Sequence, residues 1–294
     1  MVRSLSLWGR MALRSHKPQS LRLMYVRLII TFLVFVLFTF LAWGVEPPDT
    51  ASQFRVCADP NNLPYSNRRQ EGFENKIAEL LARELHQQVV YTWWPQRRGF
   101  IRNTLSAGRC DVVIGVPAGY DPVLTTRPYY RSSYVFLSRQ KAHYGISSFD
   151  DPQLRKLKIG VHLVGDDYAN SPPAHVLSSK GIIDNVVGYS IFGDYGEENP
   201  PGKIIAAVAN GEIDLAIVWG PIAGYFAKKQ SVALILTSVP ASESSASLPL
   251  AYNIALGVRR GNNALKEQLD KLLQHKAAEI RKILEDYGIP TVQD

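Results

Sequence analysis

The chain has 294 residues, 46% of them apolar and 20% charged, with two cysteines and a formal net charge of +7. Six of its 33 basic side chains fall before residue 28, in a stretch without a single acid, and the remainder carries 27 basic against 26 acidic residues. The positive balance therefore belongs to the amino terminus and gives no argument for nucleic acid, while about 250 residues of ordinary globular composition remain for one large core or two smaller ones.

Arg3, Arg10, Arg14, Lys17, Arg22 and Arg27 precede the apolar run LIITFLVFVLFTFLAWGV. Basic residues followed by an apolar stretch read as an export signal, with the basic flank kept in the cytoplasm and the rest sent across the membrane. The run is near the lower length for spanning a bilayer, so residues 1–45 are read as a cleaved signal peptide or a signal-anchor, with Ala42 and Gly44 at small positions suited to cleavage. Any membrane contact is expected through this segment alone.

Residues 54–58 read as a strand that runs into the polar turn DPNNLPYSN. Residues 72–86 follow as a helix: Phe73, Ile77, Leu80, Leu81 and Leu85 recur at helical spacing, and Glu74, Lys76, Glu79, Arg83 and Glu84 are assigned to the opposite, polar face. A strand at 89–94, a short helix at 99–107 and a strand at 112–115 complete an open parallel sheet, in which small ligands sit beyond the carboxyl ends of the strands. Next come a β-rich run at 132–140, a strand at 157–162, a helix at 172–182 and a strand at 186–192. They are followed by a helix at 201–212, a strand at 214–219, a helix at 221–229 and a strand at 232–239. A β-rich run at 248–259 leads to the longest helix, 264–287, closed by Gly288 and Pro290. The expected class is α/β, with two lobes built on two open sheets and joined by two hinge crossings near residues 135–139 and 252–258. Lobe 1 comprises residues 52–138 and 255–294, and lobe 2 residues 139–254.

Position singles out candidate contacts for a ligand or partner. Asp59, Asn61, Asn62 and Tyr65 occupy the turn after the first strand, although Asp and Asn are also ordinary turn formers. Pro117 and Tyr120 follow the third strand. Trp93 and Trp94 end the second strand and point to opposite faces, so one suits the core and the other a cleft wall. Arg97 and Arg98 stand, with Arg102, at the start of a helix where positive charge opposes the macrodipole. An anionic ligand, an acidic partner, an internal carboxylate or a solvated face would each account for them. His162 and Asp166 lie at the first strand end of the second lobe, and Trp219 ends DLAIVW. The six histidines have no metal-ligand spacing, and no phosphate loop or nucleophile elbow occurs, so neither a metal, a cofactor nor catalysis is expected. Cys57 and Cys110 lie on strands expected to be neighbours, and an oxidising compartment permits a disulfide between them; two buried thiols are the alternative.

The segments CDVVIG…PYY and GEIDLAIV and the closing helix before YGIP resemble the type II periplasmic solute-binding proteins that include polar amino acid receptors. More specifically, RVCADPNNLPYSN, YTWWPQRRGFIRNTL and CDVVIGVPAGYD…LTTRPYYRSSYVF resemble the solute-binding-like proteins associated with quinoprotein dehydrogenases, of the type found as the J component of methanol oxidation. The resemblance implies a non-catalytic periplasmic protein acting as accessory or maturation factor for a PQQ-dependent dehydrogenase. The alternative is the binding component of an ABC transporter, with a permease as partner. The amino acid receptor pattern places an Arg before the Pro-Tyr-Tyr segment to hold the ligand carboxylate, and an Asp after the DLAIV strand to hold its ammonium. Here the first is missing, with Arg127 standing where an Asp before Pro is usual, and Trp219 occupies the second position. A free amino acid is therefore not the expected ligand. A small molecule, apolar or quinone-like, or a partner peptide is expected in the cleft against Trp219 and Trp93 or Trp94, with Arg97 or Arg98 meeting a carboxylate.

Overall fold

A computed structural model describes residues 52–164, 170–192, 196–245 and 247–293; the leader and Asp166 lie outside the described residues. The chain begins with β1 (Gln53–Ala58), followed by the short pair β2 (Asn61–Asn62) and β3 (Ser66–Asn67). Helix α1 (Phe73–Glu84), β4 (Gln88–Trp93), α2 (Phe100–Asn103), β5 (Val112–Pro117) and β6 (Leu124–Thr125) come next. A long strand, β7 (Tyr130–Arg139), leads into β8 (Ile159–Leu163), α3 (Pro172–Ser179), β9 (Val186–Ser190), α4 (Lys203–Asn210), β10 (Leu215–Trp219), α5 (Gly220–Ala227) and β11 (Leu234–Ser238). The chain returns along β12 (Ala251–Val258) and ends with α6 (Asn263–His275) and α7 (Ala277–Asp286).

The strands order as β4-β1-β5-β12-β7-β10-β8-β9, with β6 on β12 and β11 on β7. β1 runs parallel to β4 and β5, and β8 parallel to β9 and β10, as strand-helix-strand units require. Such strands are covered on both faces, which is why VVI of β5 and AIV of β10 are continuous buried apolar runs. The two antiparallel strands make the crossing: residues 130–133 of β7 pair with β12, whereas residues 134–139 pair with β10 and β11. One strand thus serves both halves of the sheet.

Two expected elements differ from the structure. The helix at 99–107 is a single turn, because Gly99 (φ 89°) starts it in the left-handed region and the Thr104 hydroxyl donates to the Phe100 carbonyl at 2.7 Å, in competition with the backbone. The helix at 264–287 is two helices that meet at Lys276, whose ammonium lies 2.9 Å from both Glu84 and Glu279 and so fixes the bend on α1. The stripe Leu269, Leu273, Ile280 and Leu284 stays buried across that bend, and the Tyr287 hydroxyl donates to the Glu71 carbonyl at 2.7 Å.

Cys57 and Cys110 form a disulfide, with Cα atoms 5.5 Å apart. Cys110 sits in the turn before β5 rather than on the strand itself, which offsets it from the direct register partner of Cys57, Val113. The bridge is buried with Phe100, Leu105 and Val116. Beside it Asp111 accepts both forks of Arg55 at 2.7 and 2.8 Å and one nitrogen of Arg259 at 3.1 Å, which joins the chain at β1, β5 and β12.

A candidate ligand cavity between the two halves of the sheet

The local sequence fixes the cavity from the start of α1. Gly72 has no Cβ, and one there would overlap the Tyr65 carbonyl, so the turn after β1 can lie against the helix start. The first helical amides then find acceptors in that turn: Phe73 N–H donates to Pro64 O at 2.8 Å and Glu74 N–H to Tyr65 O at 3.0 Å. Asn75 Oδ1 accepts from Gly72 N–H at 3.1 Å and closes the cap. Helix start and turn are therefore one unit, and they hold Tyr65 and Glu74 side by side.

Between the halves lies a cavity of about 330 Å³. The first half contributes Asn62, Tyr65, Glu74, Gln96, Gly115 and Pro117, the crossing strands Tyr130, Tyr134, Tyr252 and Ile254, and the second half Ile191, Phe192, Trp219 and Ile222. Among the described residues no lysine, arginine or histidine is in this wall. Trp219 meets Tyr134 and Tyr252 edge to face, with ring centroids 5.4 and 5.6 Å away. Tyr65 and Trp219 both line the cavity, one from each half. Further contacts span the mouth: Asn61 Nδ2 donates to the Glu197 carbonyl at 3.0 Å, and the Arg97 guanidinium stands 5.8 Å from the Phe192 ring.

Glu74 is the unusual member. The expected polar face of α1 included it, but it is only 8% exposed. The physical reason is a bulge in β5: Val116 pairs with Ala255 and Ile114 with Leu256, leaving Gly115 as the extra residue at φ 85°. A Cβ there would overlap the Glu74 carboxyl, so the glycine makes the space that the carboxyl fills. No hydrogen-bond donor among the described residues reaches that carboxyl; desolvation first, and then the charge of Asp59, push its pKa well above the usual carboxylate range. Desolvation likewise raises the phenols of Tyr65, Tyr129 and Tyr130, which stay neutral.

The structure brings four of the expected contact residues into the wall, namely Asn62, Tyr65, Pro117 and Trp219. Asp59 lies just behind it, 1% exposed, where its carboxylate accepts from Asn61 N–H at 2.8 Å and Gln96 N–H at 2.6 Å and so clamps the turn to the segment after β4. Asn61 is at the mouth. Arg97, Arg98 and Tyr120 border a neighbouring hollow of about 530 Å³ that shares Gln96, Gly115 and Pro117 with the cavity. Trp94 packs toward the disulfide, under the Arg109 guanidinium at 5.5 Å, and Trp93 stacks on Tyr91 at 4.5 Å, so neither tryptophan is in the wall. His162 is buried with its ring Nε2 3.3 Å from the Pro201 carbonyl, and burial pushes its pKa down to about 4, so it is a neutral core residue at pH 7. Arg127 docks on α6, its backbone N–H donating to Asp270 at 2.6 Å and its guanidinium to Gln274 at 2.7 Å. No group of three or more metal-ligating side chains occurs among the described residues.

Sequence reasoning missed Glu74 and the aromatics Tyr130, Tyr134, Phe192 and Tyr252. The crossing runs were assigned to the hinge, and a residue on a crossing strand is also at the cleft floor, which is the signal that locates three of the four tyrosine and phenylalanine positions.

No family model matches the chain. Protein MoxJ of Methylorubrum extorquens AM1 is 30% identical over 256 residues, which is 83% of this chain and 83% of that protein. The chain belongs to the MoxJ family. Two solved structures of similar name agree with this assignment. The periplasmic binding protein XoxJ from Methylobacterium extorquens AM1 superposes with a TM-score of 0.67 at 33% identity, covering 82% of this chain and all (100%) of that one. MxaJ from Methylophaga aminisulfidivorans MPT gives a TM-score of 0.72 at 25% identity, over 81% of this chain and 100% of that one. This MoxJ-family chain therefore has the two-lobe periplasmic binding protein fold, and a periplasmic location follows. No helix among the described residues is long and apolar enough to cross a membrane.

Proposed function

We propose that this MoxJ-family protein is a non-catalytic periplasmic accessory or maturation factor for a PQQ-dependent alcohol dehydrogenase, methanol dehydrogenase being the first candidate. The observation that carries the reading is a binding-protein cavity rebuilt away from amino acid recognition: among the described residues its wall holds no guanidinium for a carboxylate, and Trp219 stands where an ammonium-binding Asp is usual. Catalysis would need a nucleophile or an acid-base pair set in the cavity, and Glu74 stands there without a second titrating partner at hydrogen-bond distance. The lobes are residues 52–138 with 255–294 and residues 139–254, and they close by twisting β7 and β12, with Asn61 and Arg97 meeting the opposite lobe in the closed state. The leader directs export, and a retained leader would anchor the protein at the inner membrane.

A second reading, the solute-binding component of an ABC transporter with a permease partner, is favoured by the cavity between the halves. Affinity capture of the exported protein from its native periplasm, with mass spectrometry of proteins and small molecules and with alcohol oxidation measured after gene deletion, separates the two. The accessory role predicts a co-purifying dehydrogenase and lost alcohol oxidation. A solute at full occupancy, no dehydrogenase and unchanged alcohol oxidation would overturn it.

A further inference from the structure

Glu74 is a largely buried carboxyl that lines a cavity, and no hydrogen-bond donor among the described residues reaches it. Other carboxylates of the first half are treated differently: Asp59 receives two backbone amides, and Asp111 two arginines. Leaving a buried carboxyl unpaired is destabilising, so its retention asks for a partner that is absent from the described residues.

The surroundings fix the sign of that partner's charge. Asp59 faces Glu74 from the end of β1, Tyr65 from the following turn, Tyr91 from β4, and Tyr129 and Tyr130 from the start of β7. These are acids or neutral phenols, and no cationic side chain is among them. The rest of the wall is lined by the aromatic residues Tyr134, Trp219 and Tyr252 and by Phe192, whose ring is met at the mouth by the Arg97 guanidinium at 5.8 Å. Aromatic faces are electron-rich and attract a cation, most strongly in a desolvated cage.

We propose that the cavity is a site for a small organic cation, an amine or quaternary ammonium, with its charge against the Glu74 carboxylate and its alkyl surface against Tyr65, Trp219 and Tyr252. The inference does not rest on the dehydrogenase reading, because it follows from the charge and shape of the cavity whichever partner the protein serves. Without a bound cation, burial first and then the charge of Asp59 push the Glu74 pKa well above the usual carboxylate range and favour its protonated form. A permanent cation displaces that proton, so its affinity rises about tenfold for each pH unit until Glu74 is ionised in the free protein, and is flat above that point. Tyr65, Tyr91, Tyr129 and Tyr130, all raised above the usual phenol range, do not titrate in the same window.

The test is isothermal titration of the exported protein, purified from the periplasm and freed of ligand by reversible denaturation, between pH 5 and 9. The probes are choline, tetramethylammonium and methylammonium, with 3,3-dimethylbutan-1-ol as the uncharged carbon isostere of choline. Expected are binding of at least one cation, a rise of its affinity with pH, proton release detected in buffers of different ionisation enthalpy, and binding of the neutral isostere at least tenfold weaker than choline. Glu74→Gln, which keeps the shape of the side chain, abolishes the pH dependence and weakens the cation by a factor of ten or more. Equal affinity for choline and its isostere, affinity that falls as pH rises, or no binding of any of the three cations at millimolar concentration would each overturn the proposal; none of these depends on the variant folding.

Discussion

Replacing Cys57 and Cys110 together by alanine removes a bridge between residues 53 apart in sequence. In the chain-entropy account a loop of that length restricts the unfolded chain by about 14 cal/mol/K, which is about 4 kcal/mol at 25 °C. The native side of the balance changes little, because the same corner stays tied by Asp111 N–H donating to the Arg55 carbonyl at 2.8 Å and by the Arg55 fork on Asp111. For a folded part of this size 1 kcal/mol corresponds to roughly 2–4 °C, so the melting temperature should fall by about 8–16 °C. The assay is calorimetric melting of the parent and the double variant, each with and without a phosphine reductant. The reductant should lower the parent to the level of the variant and leave the variant unmoved. A fall of less than about 3 °C, or a reductant effect on the variant, would refute the argument, because the bridge would then not be what restricts the unfolded chain.

Two further outcomes concern Glu74. Its folded pKa lies above its unfolded value, so its favourable contribution is complete below the unfolded pKa and is lost as pH rises through the folded one. The melting temperature of Glu74→Gln relative to the parent, followed by fluorimetry, should therefore increase as pH rises above the unfolded carboxyl pKa and level off once Glu74 is ionised in the folded protein; a difference that does not change with pH would contradict the assignment. Gly115→Ala puts a methyl into the Glu74 carboxyl and an L-residue at φ 85°, whereas Gly119→Ala meets a similar φ of 76° with nothing within 4 Å. Urea denaturation should show a loss of about 1–2 kcal/mol for Gly119→Ala and clearly more for Gly115→Ala; equal losses would mean that the carboxyl is not fixed there.

The strand-helix order was legible because its signals are local. The 3.6-residue stripe of α1 and the apolar runs of β5 and β10 are set by burial against a sheet, whatever the neighbours are. The disulfide was legible from neighbouring strands and compartment. What escaped is what depends on one irregular residue. The periodicity of α1 puts Glu74 on the polar face, and only the bulge at Gly115, which pairs β5 unevenly with a strand some 140 residues later, turns that position inward. The break at Lys276 escaped for a similar reason, since it is fixed by Glu84 on a distant helix and not by a proline or glycine. Strand alternation suggests that one of Trp93 and Trp94 packs in the core while the other is exposed or walls the cleft, yet one stacks on Tyr91 and the other packs at the disulfide corner.

The sharing of β7 between both halves has a mechanical meaning. Ser132 pairs with Tyr252 and Tyr134 with Trp219, so the backbone ladder changes partner within three consecutive residues. Sliding one half along the other would break hydrogen bonds on both sides, and only a twist of the strand about its own axis preserves them. Tyr134 and Tyr252, which such a twist must carry with it, are also walls of the cavity. The bearing and the sensor are then the same side chains: an occupant that touches these rings presses on the axle directly, and substitutions there will alter occupancy and the resting angle between the halves together.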